Sequence, residues 1–247
     1  MTAARPPSGD PLAGIDLVIF DKDGTLIDFD AMWAPWLVEL ATRLDTLTGR
    51  ALASRLFETL GFDAVAGRTI AGSPLAVTPM AQLREMVVGV LVDAGVDEGV
   101  ARAALAKAWH PPDPVALAKP TADLVGLFHD LRAAGRRIAV ATSDDRQPTE
   151  ATLAGLGVGD LVDAIAAADD RIPVKPSPDA VAAICARVGV EPSRTAVVGD
   201  SAADMAMGRA AGCGRVIGVL SGVSARADLE RNADLVLDSV ADLVLAR

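Results

Sequence analysis

The 247-residue chain reads as an α/β protein, with a parallel sheet covered by helices on both faces and a block of helices inserted just after the first strand. Three observations carry that reading. From Val115 onward, short apolar runs rich in β-branched residues alternate with helical stretches. Several of those runs stop in a small polar cluster. Between the first run and the second, residues 30 to 110 show helical spacing and no strand of convincing length.

The first strand ends at Phe20, where the apolar run Leu17 to Phe20 meets Asp21-Lys22-Asp23-Gly24-Thr25. Trp33, Trp36, Leu37, Leu40 and Leu44 then repeat at helical spacing, and Pro35 sits early enough in that helix for its missing N–H to cost little. Further helices are expected over 52–59, 79–94 and 98–108, before a stiff linker at His110-Pro111-Pro112-Asp113-Pro114. A helix over 121–134 follows, with Thr121 as N-cap and Gly135 as its stop. Next come a strand over 137–141 ending in Thr142-Ser143, a helix over 148–155, an apolar segment over 161–166 and a loop holding Lys175. The remaining pattern is helix 179–188, strand 195–198 ending in Gly199-Asp200-Ser201, helix 202–211, strand 215–219, an apolar segment over 233–237 and a short terminal helix.

Composition narrows the function. Just over half the residues are apolar and aromatics make up 3% with no Tyr, so the core is built from Ala, Val, Leu and Ile. A net charge of −10 argues against a nucleic-acid-binding surface. No stretch approaches the 18 or so uninterrupted apolar residues of a membrane span. Cys185 and Cys213 sit in apolar surroundings without metal spacing and read as reduced thiols of a cytoplasmic protein. The Pro- and Gly-rich start, residues 1–10, reads as a flexible tail without the apolar core of a signal peptide.

The polar clusters carry the chemistry. Ligands of open parallel sheets bind at the carboxyl ends of strands, which is where Asp21, Asp23, Thr142, Ser143, Asp200 and Ser201 fall. Asp21 and Asp23 are two apart, so an extended backbone can point both the same way. Carboxylates that close raise each other's pKa unless a cation or a shared proton intervenes. A calcium loop is excluded because no further oxygen ligands follow at its spacing. The set suits phosphoryl transfer. Asp21 can attack phosphorus, and Asp23 can protonate the leaving oxygen and then activate water. Asp21, the Asp23 carbonyl and Asp200 can hold Mg2+. Thr142, its neighbouring N–H groups and the start of the next helix can hold phosphate oxygens, and Lys175 can neutralise the nucleophile and the transferring group.

The chain resembles phosphatases of the haloacid dehalogenase superfamily with a helical cap of the first type. DKDGTL (21–26) is similar to the first motif of that family, VATS (140–143) to the second, Lys175 in VKPSPD to the third and GDSAAD (199–204) to the fourth. The closest subgroup resembled is the phosphoglycolate phosphatase-like and β-phosphoglucomutase-like enzymes. The resemblance implies a Rossmann-like core over 11–29 and 113–247 and a cap over 30–112. It implies Asp21 as nucleophile and metal ligand, Asp23 as acid/base and carbonyl ligand, Lys175 as a bridge to phosphate, and Thr142, Ser143 and Gly24 at the phosphate. Asp200 is implied as a Mg2+ ligand, with Asp204 and Ser201 behind it. The expected partner is a small phosphate ester such as phosphoglycolate or a sugar phosphate, with no nucleic acid, no membrane and a monomer or homodimer.

Other readings differ in recognisable residues. A phosphomutase would keep the four motifs and need a bisphosphate primer. A dehalogenase lacks the acid/base Asp, and Asp23 is present. A phosphonatase needs a cap lysine for an imine, and Lys107 stands at the far end of the insertion. A receiver-type signalling domain would be half this length. A partner-binding pseudoenzyme would be expected to have lost Asp21, Asp23 or Lys175. Asp144 and Asp145 read as charges at a helix start, His110 and His129 as structural, and Arg43, Arg50, Arg55, Arg68 and Arg84 as candidates for an anionic substrate group.

Overall fold

Leu17–Phe20 (β1) is four residues long and buried throughout, which is why it reads as a continuous apolar run rather than an alternating one. The structure, a computed structural model, describes residues 10–173 and 175–243. The expected tail over 1–10 therefore lies outside it except for Asp10, whose carboxylate pairs with Arg136.

The chain divides into two compact units, one made of residues up to Asp28 together with those from Pro120 on, the other of Phe29–Lys119. In the second, Phe29–Thr48 (α1) buries Trp33, Trp36, Leu37, Leu40 and Leu44 along one stripe. Trp36 packs edge-on against Trp33 and Trp109 and donates its indole N–H to His110 O at 2.8 Å. Ala53–Leu60 (α2) stops at Gly61, whose φ of 76° places it in the left-handed region. A small antiparallel hairpin follows, Phe62–Asp63 (β2) with Arg68–Thr69 (β3), then Pro74–Val77 (α3), Met80–Asp93 (α4) and Glu98–Ala108 (α5). The hairpin is missing from the sequence reading because two-residue strands leave no period to detect. Residues 113–119, which the resemblance assigns to the sheet unit, group with these helices.

The first unit holds a six-stranded parallel sheet in the order β5-β4-β1-β6-β7-β8. Its further strands are Arg137–Ala141 (β4), Ala164–Ala166 (β5), Thr195–Gly199 (β6), Arg215–Val219 (β7) and Leu235–Leu237 (β8). The helices are Leu124–Ala133 (α6), Arg146–Gly155 (α7), Asp179–Val188 (α8), Ala202–Ala210 (α9) and Arg226–Leu229 (α10). Two apolar clusters, one around Phe20, Phe128 and Ile138 and one around Ile19, Ala139 and Met205, show that both faces of the sheet are covered. Among the described residues no helix is long and apolar enough to cross a membrane.

One boundary differs for a clear reason. The helix expected from Thr121 starts at Leu124, because Asp123 rather than Thr121 caps it, accepting from Gly126 N at 3.0 Å. Thr121 instead donates its hydroxyl to Thr25 O at 2.6 Å, tying the start of this segment to the loop after β1. Cys185 and Cys213 are buried and unbridged, as expected of core thiols.

Phe20 and Phe128 stack at 5.4 Å between ring centroids, and both are fully buried. Replacing Phe128 with Ala is expected to lower unfolding free energy by about 3–5 kcal/mol, measured by urea denaturation.

Candidate active site

Register assembles the site. Phe20 pairs with Val140 on one side and Val198 on the other, so β1, β4 and β6 end level with one another. Asp21, Thr142 and Asp200 are the first polar side chains beyond those ends. Read in chain order the sheet is 3-2-1-4-5-6, and the reversal lies between β1 and β6, whose ends carry Asp21 and Asp200.

Asp21, Asp200 and Asp204 each offer an oxygen within 4.8 Å of the others, and all three are buried. Lys175 Nζ lies 2.5 Å from Asp21 Oδ1 and 2.6 Å from Asp204 Oδ1. Asp204 is held from behind by Ser201: its Oδ2 accepts from Ser201 N and Oγ, and Ser201 Oγ accepts from Asp204 N, a capping box at the start of α9. Asp200 Oδ2 accepts from Val223 N at 2.9 Å.

Burial is the main perturbation. It raises the Asp21 pKa to about 7, with Lys175 opposing and the charges of Asp204 and Asp23 adding to it. Asp200 is pushed well above the ordinary carboxylate range by burial and by the charges of Asp21 and Asp204. Burial pulls Lys175 down, but Asp204 and Asp21 more than offset it and hold the ammonium charged. Three carboxylates share one ammonium, so the cluster lacks positive charge and supplies only hard oxygen donors. That donor set fits a hard divalent cation such as Mg2+.

Asp23 is not part of the carboxylate cluster. Both its oxygens lie 2.9–3.0 Å from Lys22 Nζ, which also reaches Asp144 Oδ2 at 3.0 Å. Burial pulls Lys22 down, yet Asp23 and Asp144 more than compensate and push it up to about 12. Asp144, read from sequence as a helix-start charge, is thus an ion-pair partner, with its own pKa raised by burial.

The expected phosphate groups are sorted by their existing bonds. Thr142 N–H already donates to Ala166 O. Thr142 Oγ1 accepts from Asp144 N at 3.1 Å, which leaves the hydroxyl hydrogen as the donor for a ligand. At the start of α7, the N–H groups of Asp145 and Arg146 are taken by Asp144 and Asp169. Ser143 is half-buried beside Thr142. Gly24, expected at the phosphate, donates its N–H to Ile27 O at 2.7 Å. Its part is conformational, since at φ 86° an added Cβ would sit 2.5 Å from Asp200 Oδ2 and 2.9 Å from Gly222 Cα. Of the arginines in the unit Phe29–Lys119, Arg43 is engaged by Glu39 and Ala108 O, and Arg84 lies over the Trp109 ring. The imidazoles of His110 and His129 lie on exposed residues.

Sequence reasoning missed Lys22, Asp144 and the loop Ser221–Gly222–Val223. That loop binds Gly24 O through Ser221 Oγ and Asp200 through Val223 N. Its signal was available, since it follows β7 as the other polar clusters follow their strands.

The haloacid dehalogenase-like hydrolase model matches residues 15–212, from β1 past the capping box of α9. The chain belongs to the haloacid dehalogenase-like hydrolase family. This hydrolase is 30% identical over 195 residues to a phosphoglycolate phosphatase of Rhodospirillum rubrum, covering 79% of this chain and 76% of that one. It is 35% identical over 111 residues to a phosphoglycolate phosphatase of Pectobacterium atrosepticum, covering 44% and 47%. Its fold is similar to that of a predicted phosphoglycolate phosphatase from Haemophilus somnus, with TM-score 0.66, 18% identity and coverage of 93% and 96%. β-Phosphoglucomutase from Clostridium difficile gives TM-score 0.62, 18% identity and 93% coverage of both chains. The haloacid dehalogenase-like hydrolase is accordingly an enzyme, a phosphoric monoester hydrolase.

Two outcomes follow from this geometry. A carboxylate with a raised folded-state pKa stabilises the fold below its unfolded value, near 3.8, and that stability is lost as pH rises toward about 7, the Asp21 value. A divalent cation held by these carboxylates would compete with those protons, so stabilisation by added Mg2+ is expected to grow between pH 5 and pH 8 in paired thermal melts with and without the ion. Gly24→Ala is expected to abolish that Mg2+-induced shift by displacing Asp200.

Proposed function

We propose that this hydrolase is a Mg2+-dependent phosphatase that cleaves a small phosphomonoester through an aspartyl-phosphate on Asp21. The observation that carries the reading is Lys175 between Asp21 and Asp204, with Asp200 in reach, at the carboxyl ends of parallel strands. Lys175 occupies Asp21 Oδ1, which leaves Oδ2 to attack phosphorus. The bond from phosphorus to the ester oxygen breaks, and Asp23 protonates the departing alkoxide. Asp23 then takes a proton from water, whose oxygen attacks the acyl phosphate, releasing inorganic phosphate and restoring Asp21. Thr142 Oγ, Ser143 and Lys175 hold the non-reacting phosphate oxygens, where charge stabilisation does most of the catalytic work. Asp21, the Asp23 carbonyl and Asp200 would hold Mg2+, which would supply positive charge against the phosphate and favour the ionised form of Asp21.

The helical unit Phe29–Lys119 is proposed to act as the cap and to select the organic part of the ester. The names of the curated relatives support phosphoglycolate as the first substrate to try, with sugar phosphates next.

The test is phosphate release from a panel of small esters with and without Mg2+. The expected outcome is Mg2+-dependent release, reduced more than about a thousandfold by Asp21→Asn in a protein that still folds. Release unaffected by that substitution would remove Asp21 as the nucleophile. Turnover of glucose 1-phosphate only with a bisphosphate primer would replace the phosphatase by a mutase.

A further inference from the structure

Lys22 stands between the two aspartates of the first motif, and its side chain is 1% exposed. Burying an ammonium is costly unless it is fully paired, and here the pairing is with two carboxylates from different loops. Nζ lies 3.0 Å from Asp23 Oδ1 and 2.9 Å from Oδ2, a two-oxygen grip that fixes the carboxylate plane. It lies 3.0 Å from Asp144 Oδ2. Asp144 in turn accepts from Asp145 N through Oδ1, donates its own N–H to Thr142 Oγ1, and accepts from Ala168 N through its carbonyl. A continuous chain of short contacts therefore runs from Asp23 through Lys22 and Asp144 to Thr142. The Lys22 carbonyl also accepts from Leu26 N at 2.9 Å and Ile27 N at 3.1 Å, so the same residue shapes the turn that follows β1.

We propose that Lys22 is a positioning residue, a buried tie that orients the Asp23 carboxylate for proton transfer and registers the Thr142 loop against it. The inference rests on the phosphatase reading, in which Asp23 delivers a proton to the leaving oxygen. A lysine that merely neutralised two buried carboxylates would leave that proton transfer untouched once the charge was balanced by other means.

The two roles separate in kinetics. An alkyl phosphate needs a proton on its leaving oxygen, whereas 4-nitrophenolate departs without one. Wild type, Lys22→Met and the double variant Lys22→Met/Asp144→Asn would be compared on the best alkyl ester and on 4-nitrophenyl phosphate, with melting temperatures alongside. Loss of kcat/KM on the alkyl ester is expected to exceed that on the nitrophenyl ester by about tenfold. The double variant, which removes the carboxylate left unpaired at Asp144, is expected to recover melting temperature but not alkyl-ester turnover. It also serves if Lys22→Met alone does not fold. Equal losses on the two esters, or recovery of alkyl turnover together with stability, would overturn the assignment of Lys22 while the phosphatase reading stood. A wild-type protein that released phosphate from neither ester would bring down that reading and this inference with it.

Discussion

Everything in the site depends on a buried ammonium placed between carboxylates that could not otherwise share the space. Lys175 lies within 2.6 Å of both Asp21 and Asp204, and its charge is what lets them approach Asp200 so closely. Single pairs of this kind often stabilise a fold no better than apolar residues would. Their value here is chemical. The cluster is short of positive charge, and burial makes that shortage felt as a proton affinity unusual for aspartate. A site in that condition is ready to accept a cation or a proton.

The sheet makes the cluster possible. Parallel strands in register bring residues far apart in sequence to one edge: Asp21, Thr142 and Asp200 come together because Phe20 pairs with Val140 and Val198. Backbone groups on the strands are already satisfied by their neighbours, so the polar groups available to a ligand are those of the loops. The same economy operates inside the loops. Each N–H of the Thr142 loop that is bound within the protein narrows what remains for a ligand, until a hydroxyl and a lysine stand out.

Much of this was legible in the sequence, and the exceptions are instructive. The apolar runs of β1, β4, β6 and β7 and the helix over 179–188 are long or regular enough to show their period, and their polar ends marked Asp21, Thr142 and Asp200. The β2–β3 hairpin was invisible because two-residue strands carry no period. The start of α6 was misplaced because Thr121 and Asp123 are both good caps, and only the tertiary bond from Thr121 to Thr25 decides between them. Gly24 was placed at the phosphate by resemblance, and nothing in a sequence says that its N–H is spent on Ile27 O. Lys22 and Asp144 were overlooked for a related reason, since a pairing across some 120 positions leaves no local pattern.

The join between the two units has a consequence for how such a chain can vary. Ile27 and Pro120 form an antiparallel bridge, and Thr121 donates to Thr25 and Leu26 just beside it, so the chain leaves the sheet and returns to it at almost the same point. A segment whose ends are already clasped costs little loop entropy to lengthen, shorten or exchange, because closure scales only weakly with its size. The 91 residues from Phe29 to Lys119 thus lie between two chain ends that are clasped together. Lineages, or protein engineers, can graft a different insert there while the strand ends and the chemistry they carry stay where they are.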